Sequence, residues 1–225
     1  MVWRTAAVLL GCVLLAVGCG RPSAPETEGP LPGAPPIEHL LGAPAGSYFR
    51  DLKETGDDVH PLGLLDTAAR AAQVYCDDCE EMFERQLTQA GFEVGYAESW
   101  NAKDQQSAVR FSVLRFSTLE GAYWYTATGD DDPGQDTVER LDQLAYGTVW
   151  TARRTDPNAA FAYGSTSLLR IERDVITITA EAPTFAAARA TAIENATLSL
   201  ARARELWTPY LPPPLEALGT HDDVV

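Results

Sequence analysis

Cys76-Asp77-Asp78-Cys79 is the arrangement in this chain with the clearest chemical potential. Two thiols separated by two residues can serve as a redox pair, half of a zinc site or a structural disulfide. Redox work needs one thiol with a depressed pKa, supplied by a helix N-terminus or a nearby cation. A helix starting near Asp77 would help, but Asp77, Asp78, Glu80 and Glu81 surround the sulfurs with negative charge and oppose thiolate formation. Zinc fails on ligand number. A structural site takes about four N or S ligands, and the only histidines are His39, His60 and His221. In an oxidising compartment the expected state is a structural Cys76–Cys79 disulfide. A thiol-disulfide redox protein is the competing reading.

Other constellations carry less. Asp130-Asp131-Asp132-Pro133-Gly134-Gln135-Asp136 clusters carboxylates of the kind Ca²⁺ favours, but Gly134 stands where an EF-hand needs an oxygen ligand and Leu141 where it needs Glu. A solvated loop that caps the next helix is the expectation, with no metal. Gly164-Ser165-Thr166 lacks the G-x-S-x-G elbow and falls inside an expected strand. A Ser-His-Asp triad would have to be built on His60. Phosphate loops and dinucleotide fingerprints are absent, so no cofactor and no enzymatic activity are expected. Asn195-Ala196-Thr197 matches a glycosylation sequon but falls within an expected helix. The aromatic set Trp100, Tyr123, Trp124, Tyr125, Trp150 and Tyr163 is the remaining lead, with Tyr123, Trp124 and Tyr125 consecutive in one expected helix. Successive helical positions point about 100° apart, so three in a row cannot all face a core. At least one is left to line a groove, and this is the expected ligand-binding position.

The chain begins with a positively charged start, Met1 to Arg4, and an apolar run, Thr5 to Val17, closed by Gly18-Cys19. That is the form of an export signal, too short to span a bilayer comfortably. Leu15-Ala16-Val17-Gly18-Cys19 resembles the lipobox of bacterial lipoproteins, with Ala16 in place of the usual Leu. The resemblance implies acylation of Cys19 and cleavage before it, leaving residues 1–18 as a signal peptide. A rival site at Cys12 leaves too short an apolar run.

Residues 20–46 hold seven of the chain's 15 prolines among Gly, Ser, Ala and Glu, which predicts a disordered tether over 19–46. Acyl chains on Cys19, at about 0.8 kcal/mol per buried methylene, give anchoring that charge does not. Charge indeed works against a membrane surface, because 17 basic and 32 acidic residues leave a net −15. Nucleic acid is excluded on the same ground, since it requires a local excess of Lys and Arg. With 45% of residues hydrophobic, the remainder can bury a core. One domain is expected over 47–208, followed by a Pro-rich acidic tail over 209–225.

Within that domain, Leu65, Ala68, Ala69, Ala72 and Val74 predict a helix capped by Asp66. A second helix, from Asp77 to a stop at Gly91, is expected to bury Met82, Phe83, Leu87 and Ala90. Strands follow over 92–100 and 108–116, the latter alternating Val109, Phe111 and Val113 against Arg110 and Ser112. Ser117 and Glu120 have capping-box spacing before the aromatic helix. A short helix is expected around Val138 to Leu144, then strands over 147–153, 161–172 and 175–181. A long Ala-rich helix from Pro183 to about Trp207 carries Ala192, Ala196, Leu200, Ala203 and Trp207 on one stripe. The expected class is α+β, a mostly antiparallel sheet of about five strands with helices covering one face.

Gly91-Phe92-Glu93-Val94-Gly95-Tyr96 with Trp100, the run Arg115 to Ala122, the strand pair and the terminal helix resemble the extracytoplasmic domains of actinobacterial lipoproteins, a class without an assigned biochemical role. The resemblance implies a sensor-like α+β domain and a non-enzymatic accessory role at the outer face of the bacterial cell membrane. It transfers no catalytic residue. The expected partners are the membrane, through Cys19, and a small molecule or an envelope protein. A structural envelope component is a further alternative.

Overall fold

The computed structural model describes residues 33–51, 62–74, 79–128, 137–141, 147–153 and 160–210. The elements are β1 (Tyr48–Asp51), β2 (Gly63–Leu65), α1 (Ala68–Ala72), α2 (Glu80–Gln89), β3 (Phe92–Ala102), β4 (Ala108–Phe116), α3 (Leu119–Thr128), β5 (Thr137–Leu141), β6 (Gly147–Arg153), β7 (Tyr163–Ile171), β8 (Asp174–Ala182) and α4 (Phe185–Trp207). All strand pairs are antiparallel and join one eight-stranded sheet in the order β1-β3-β4-β8-β7-β6-β5, with β2 also paired to β3. The class is α+β as expected, with more strands than the five anticipated. The additions are β1, β2 and β5. Thr137–Leu141 is a strand paired to β6, where a short helix around Val138 to Leu144 was expected. Its mix of Val, Leu and charged residues suits either period, and pairing with β6 decides it.

Helices cover both faces of the sheet, not one. Alternation explains how. Val109, Phe111 and Val113 of β4 and Ile176, Ile178 and Ala180 of β8 form one core with Ala192, Ala196, Leu200, Ala203 and Trp207 of α4. Leu114 and Phe116, the other parity of β4, join Val175 and Leu168 against Leu65, Leu87, Ala122 and Tyr125 on the opposite face. β4 and β8 are central strands, so each parity needs a cover.

Part of the first cover comes from the stretch expected to be tether. Ile37, Leu40 and Leu41 are buried in the α4-side core, and the backbone N–H of Ala45 donates to Asn195 Oδ1 of α4 at 3.0 Å. The prolines there set the path of a packed segment: Ile37–His39 is a 3-10 turn introduced by Pro36. Folded structure therefore begins by residue 34, not 47.

The helix starts differ by a residue or two from the expected caps. Thr67, not Asp66, caps α1, its side chain accepting from Arg70 N at 3.2 Å. Thr118, not Ser117, receives the Gly121 N–H at 3.0 Å. Ser117 lies just past β4, with its N–H on Gly91 O at 2.8 Å. Thr184 caps α4 through Ala187 N, with Pro183 just before it. In α2, Leu87 and Ala90 are buried, but Met82 is exposed, contrary to expectation. Gly91 ends that helix at φ +75° as predicted, a left-handed conformation that favours glycine. Among the described residues no helix is long and apolar enough to cross a membrane.

Candidate functional site

The helices α1, α2 and α3 cover only one end of their face. Further along the strands the same parity turns polar. Pairing aligns Ser99 with Arg110, Arg110 with Thr179, Thr179 with Thr166 and Thr166 with Trp150, a row that crosses β3, β4, β8, β7 and β6. The parity matches that of Leu114 and Val175, so these side chains lie on the face away from α4. All five are half-buried. Thr166 Oγ1 and Thr179 Oγ1 are 3.2 Å apart and hydrogen-bonded. The next row towards the helices contains Ser112 and Thr177, aligned with each other and both buried. Thr177 Oγ1 is buried with no hydrogen-bond partner. Glu181, two residues beyond Thr179, shares the face, and Arg110, Ser112 and Glu181 are each engaged in further interactions.

Central strands in a three-layer fold are expected to be apolar on both faces. A hydroxyl left unpaired there costs about 1–3 kcal/mol, so the polar row calls for a functional account. It can offer hydroxyl donors and acceptors, one guanidinium and one indole. No nucleophile with an adjacent base is present in it, and among the described residues no group of three His, Cys, Asp or Glu is placed to hold a metal.

A second polar cluster is buried at the other end of the sheet. Arg115 of β4 donates through Nε to Asp174 Oδ1 at 2.8 Å and through Nη2 to Oδ2 at 2.9 Å, and Trp207 Nε1 donates to the same Oδ2 at 2.9 Å. Arg173 Nη1 donates to Phe116 O and Ser117 O, both at 3.2 Å. Burial raises the Asp174 carboxyl above its ordinary value, against the lowering effects of Arg115, Trp207 and Arg173. Asp174 has no exposed surface, so this cluster ties β4, β8 and the end of α4 together and offers nothing to a ligand.

The aromatic run divides between core and surface. Tyr125 is core, its ring 5.2 Å from that of Phe116. Tyr123 is 57% exposed, with the Arg170 guanidinium 5.0 Å from its ring centroid, and Trp124 is 36% exposed. Three successive helical positions diverge, as their geometry requires. Asn195 of the sequon is buried and donates to Thr191 O at 2.8 Å, which leaves no acceptor for a glycan. Cys79 sits at the N-cap of α2 and is disulfide-bonded. Cys76, Cys19, His60 and the Asp130–Asp136 loop lie outside the described residues. The polar row escaped the sequence because its members come from five strands. Its local trace was the polar parity of Arg110 and Ser112 and of Thr177 and Thr179.

No family model matches the chain, and no curated protein matches it. Among solved structures, it is similar to the extracellular domain of PknH from Mycobacterium tuberculosis. The identity is 9%, the TM-score is 0.44, and the match covers 75% of this chain and 95% of that one.

Proposed function

We propose that this chain is a lipid-anchored extracytoplasmic protein with a non-enzymatic binding site on its sheet. The observation that carries the binding role is the polar row Ser99, Arg110, Thr179, Thr166 and Trp150 beside the unpartnered hydroxyl of Thr177. Polar side chains on the central strands of a sheet sacrifice stability, and a ligand that completes their hydrogen bonds recovers it. The anchor rests on the lipobox-like run ending at Cys19. With the folded segment beginning by residue 34, about 15 residues of tether would separate domain and bilayer, each spanning at most ~3.5 Å. Cys76 is the natural partner for Cys79, and such a bridge fixes the entry to α2 rather than carrying redox chemistry.

Two measurements test the reading. Cys19→Ser is expected to move the protein from the membrane fraction to the soluble one; retention at the membrane overturns the anchor. A thermal-shift screen against a chemically diverse small-molecule collection is expected to yield ligands whose stabilisation disappears in the Thr166→Val/Thr179→Val variant. Hits that persist in that variant, or no hits, overturn the binding role.

A further inference from the structure

Resting on that binding site, we infer that its ligand is a neutral linear oligosaccharide laid across the strands. The row crosses five adjacent strands. Neighbouring strands lie about 4.8 Å apart, so polar groups recur at that interval over roughly 19 Å. That period is comparable to the repeat of a pyranose chain, and it runs perpendicular to the strands.

The chemistry of the side chains matches. Ser99, Thr179 and Thr166 each bring a hydroxyl that donates and accepts, as a sugar hydroxyl does. Arg110, already engaged in interactions of its own, adds a guanidinium at the next position of the row. Glu181 stands on the same face two residues from Thr179, and Asp51 of β1 is aligned with Ser99 at the end of the row, so carboxylates outnumber the Arg110 guanidinium and the site disfavours anions. At longer range the net charge of −15 repels anions. Trp150, at the end of the row, is half-buried against the core beneath α1, α2 and α3, and the rest of its indole suits the C–H face of a sugar ring. Thr177 Oγ1 lies in the adjacent row, 7% of its residue exposed and without a hydrogen-bond partner, a position for a ligand hydroxyl.

The test uses the full chain in detergent, titrated calorimetrically with neutral hexasaccharides of glucose, mannose and N-acetylglucosamine and with two anionic probes, hexametaphosphate and an oligogalacturonate. Saturable binding of at least one neutral hexasaccharide, weakening as the sugar is shortened, is expected. Thr166→Val and Thr179→Val, which keep strand propensity and shape, should each weaken it about five- to tenfold, the loss of one hydrogen bond. Leu198→Ala, on the exposed side of α4, should leave it unchanged. Binding of the anionic probes alone, no binding of any neutral hexasaccharide, or binding indifferent to both Thr→Val changes overturns the assignment. A thermal-shift hit of another class that depends on Thr166 and Thr179 would overturn the saccharide and leave the binding site standing.

Discussion

Arg115 and Asp174 meet in a two-pronged ion pair across β4 and β8, at 2.8 and 2.9 Å, with 9% and 0% of their side chains exposed. Arg115 also lies over the ring of Trp207, 5.6 Å from its centroid, so one guanidinium touches both partners of the Trp207–Asp174 hydrogen bond at the end of α4. Breaking such a pair by removing one partner strands the other in low dielectric. Arg115→Met should therefore lower stability by about 3–5 kcal/mol, whereas Arg115→Met/Asp174→Leu should recover a large part of that loss. Urea unfolding of the three proteins checks it. A double variant no better than the single one would show that the pair stabilises the fold outright.

The same carboxyl gives a signed pH dependence. Burial holds Asp174 above the ordinary 3.8. A carboxyl with a pKa raised by folding binds its proton more tightly in the native chain. Its contribution is complete below 3.8 and is lost as pH rises through the folded value. Asp174→Asn keeps the size and removes the titration. The stability gap between wild type and this variant, from denaturant midpoints at a series of pH values, should narrow as pH increases. A gap that widened would mean that Arg115 and Trp207 outweigh burial and hold the carboxyl down.

How far the sequence could be read follows from the range of each interaction. The alternation in β4 and the Ala192 to Trp207 stripe of α4 are local patterns, and both are realised as expected. Gly91 is likewise a local signal, because its φ of +75° depends on the chain immediately around it. Ile37, Leu40 and Leu41 could not be distinguished from tether residues, since their burial depends on α4, far along the chain. The polar row needs the register of five strands, and register is set by pairing rather than by local propensity. The aromatic run divides between core and surface for a local reason. Its three rings are adjacent in sequence, and a helix sends adjacent side chains to different places.

Leu40 decides where the folded domain begins. It has no exposed surface and packs in the α4-side core. Leu40→Ala should cost about 2–5 kcal/mol, the range for truncating a buried leucine. A chain starting at residue 33 should unfold at the wild-type denaturant midpoint, and one starting at residue 47 should unfold much earlier or fail to fold. Equal midpoints for the two truncations would return residues 33–46 to the tether.

Gly121 marks the closest approach of two elements in the helical layer. A Cβ there would collide with the backbone carbonyl oxygen of Ala90 and press on Thr118 Oγ1, which already accepts the Gly121 N–H. The obstacle is backbone at the end of α2, so it cannot swing aside as a side chain could. The start of α3 would have to lift off, loosening Ala122 and Tyr125 from the core they share with Leu87 and Phe116. Alanine is the better helix former by about 1 kcal/mol, yet Gly121→Ala should destabilise by about 1–3 kcal/mol because overpacking against fixed backbone outweighs that preference. Equilibrium urea denaturation measures the sign directly. A stabilising Gly121→Ala would mean that α2 and α3 do not pack this closely in solution.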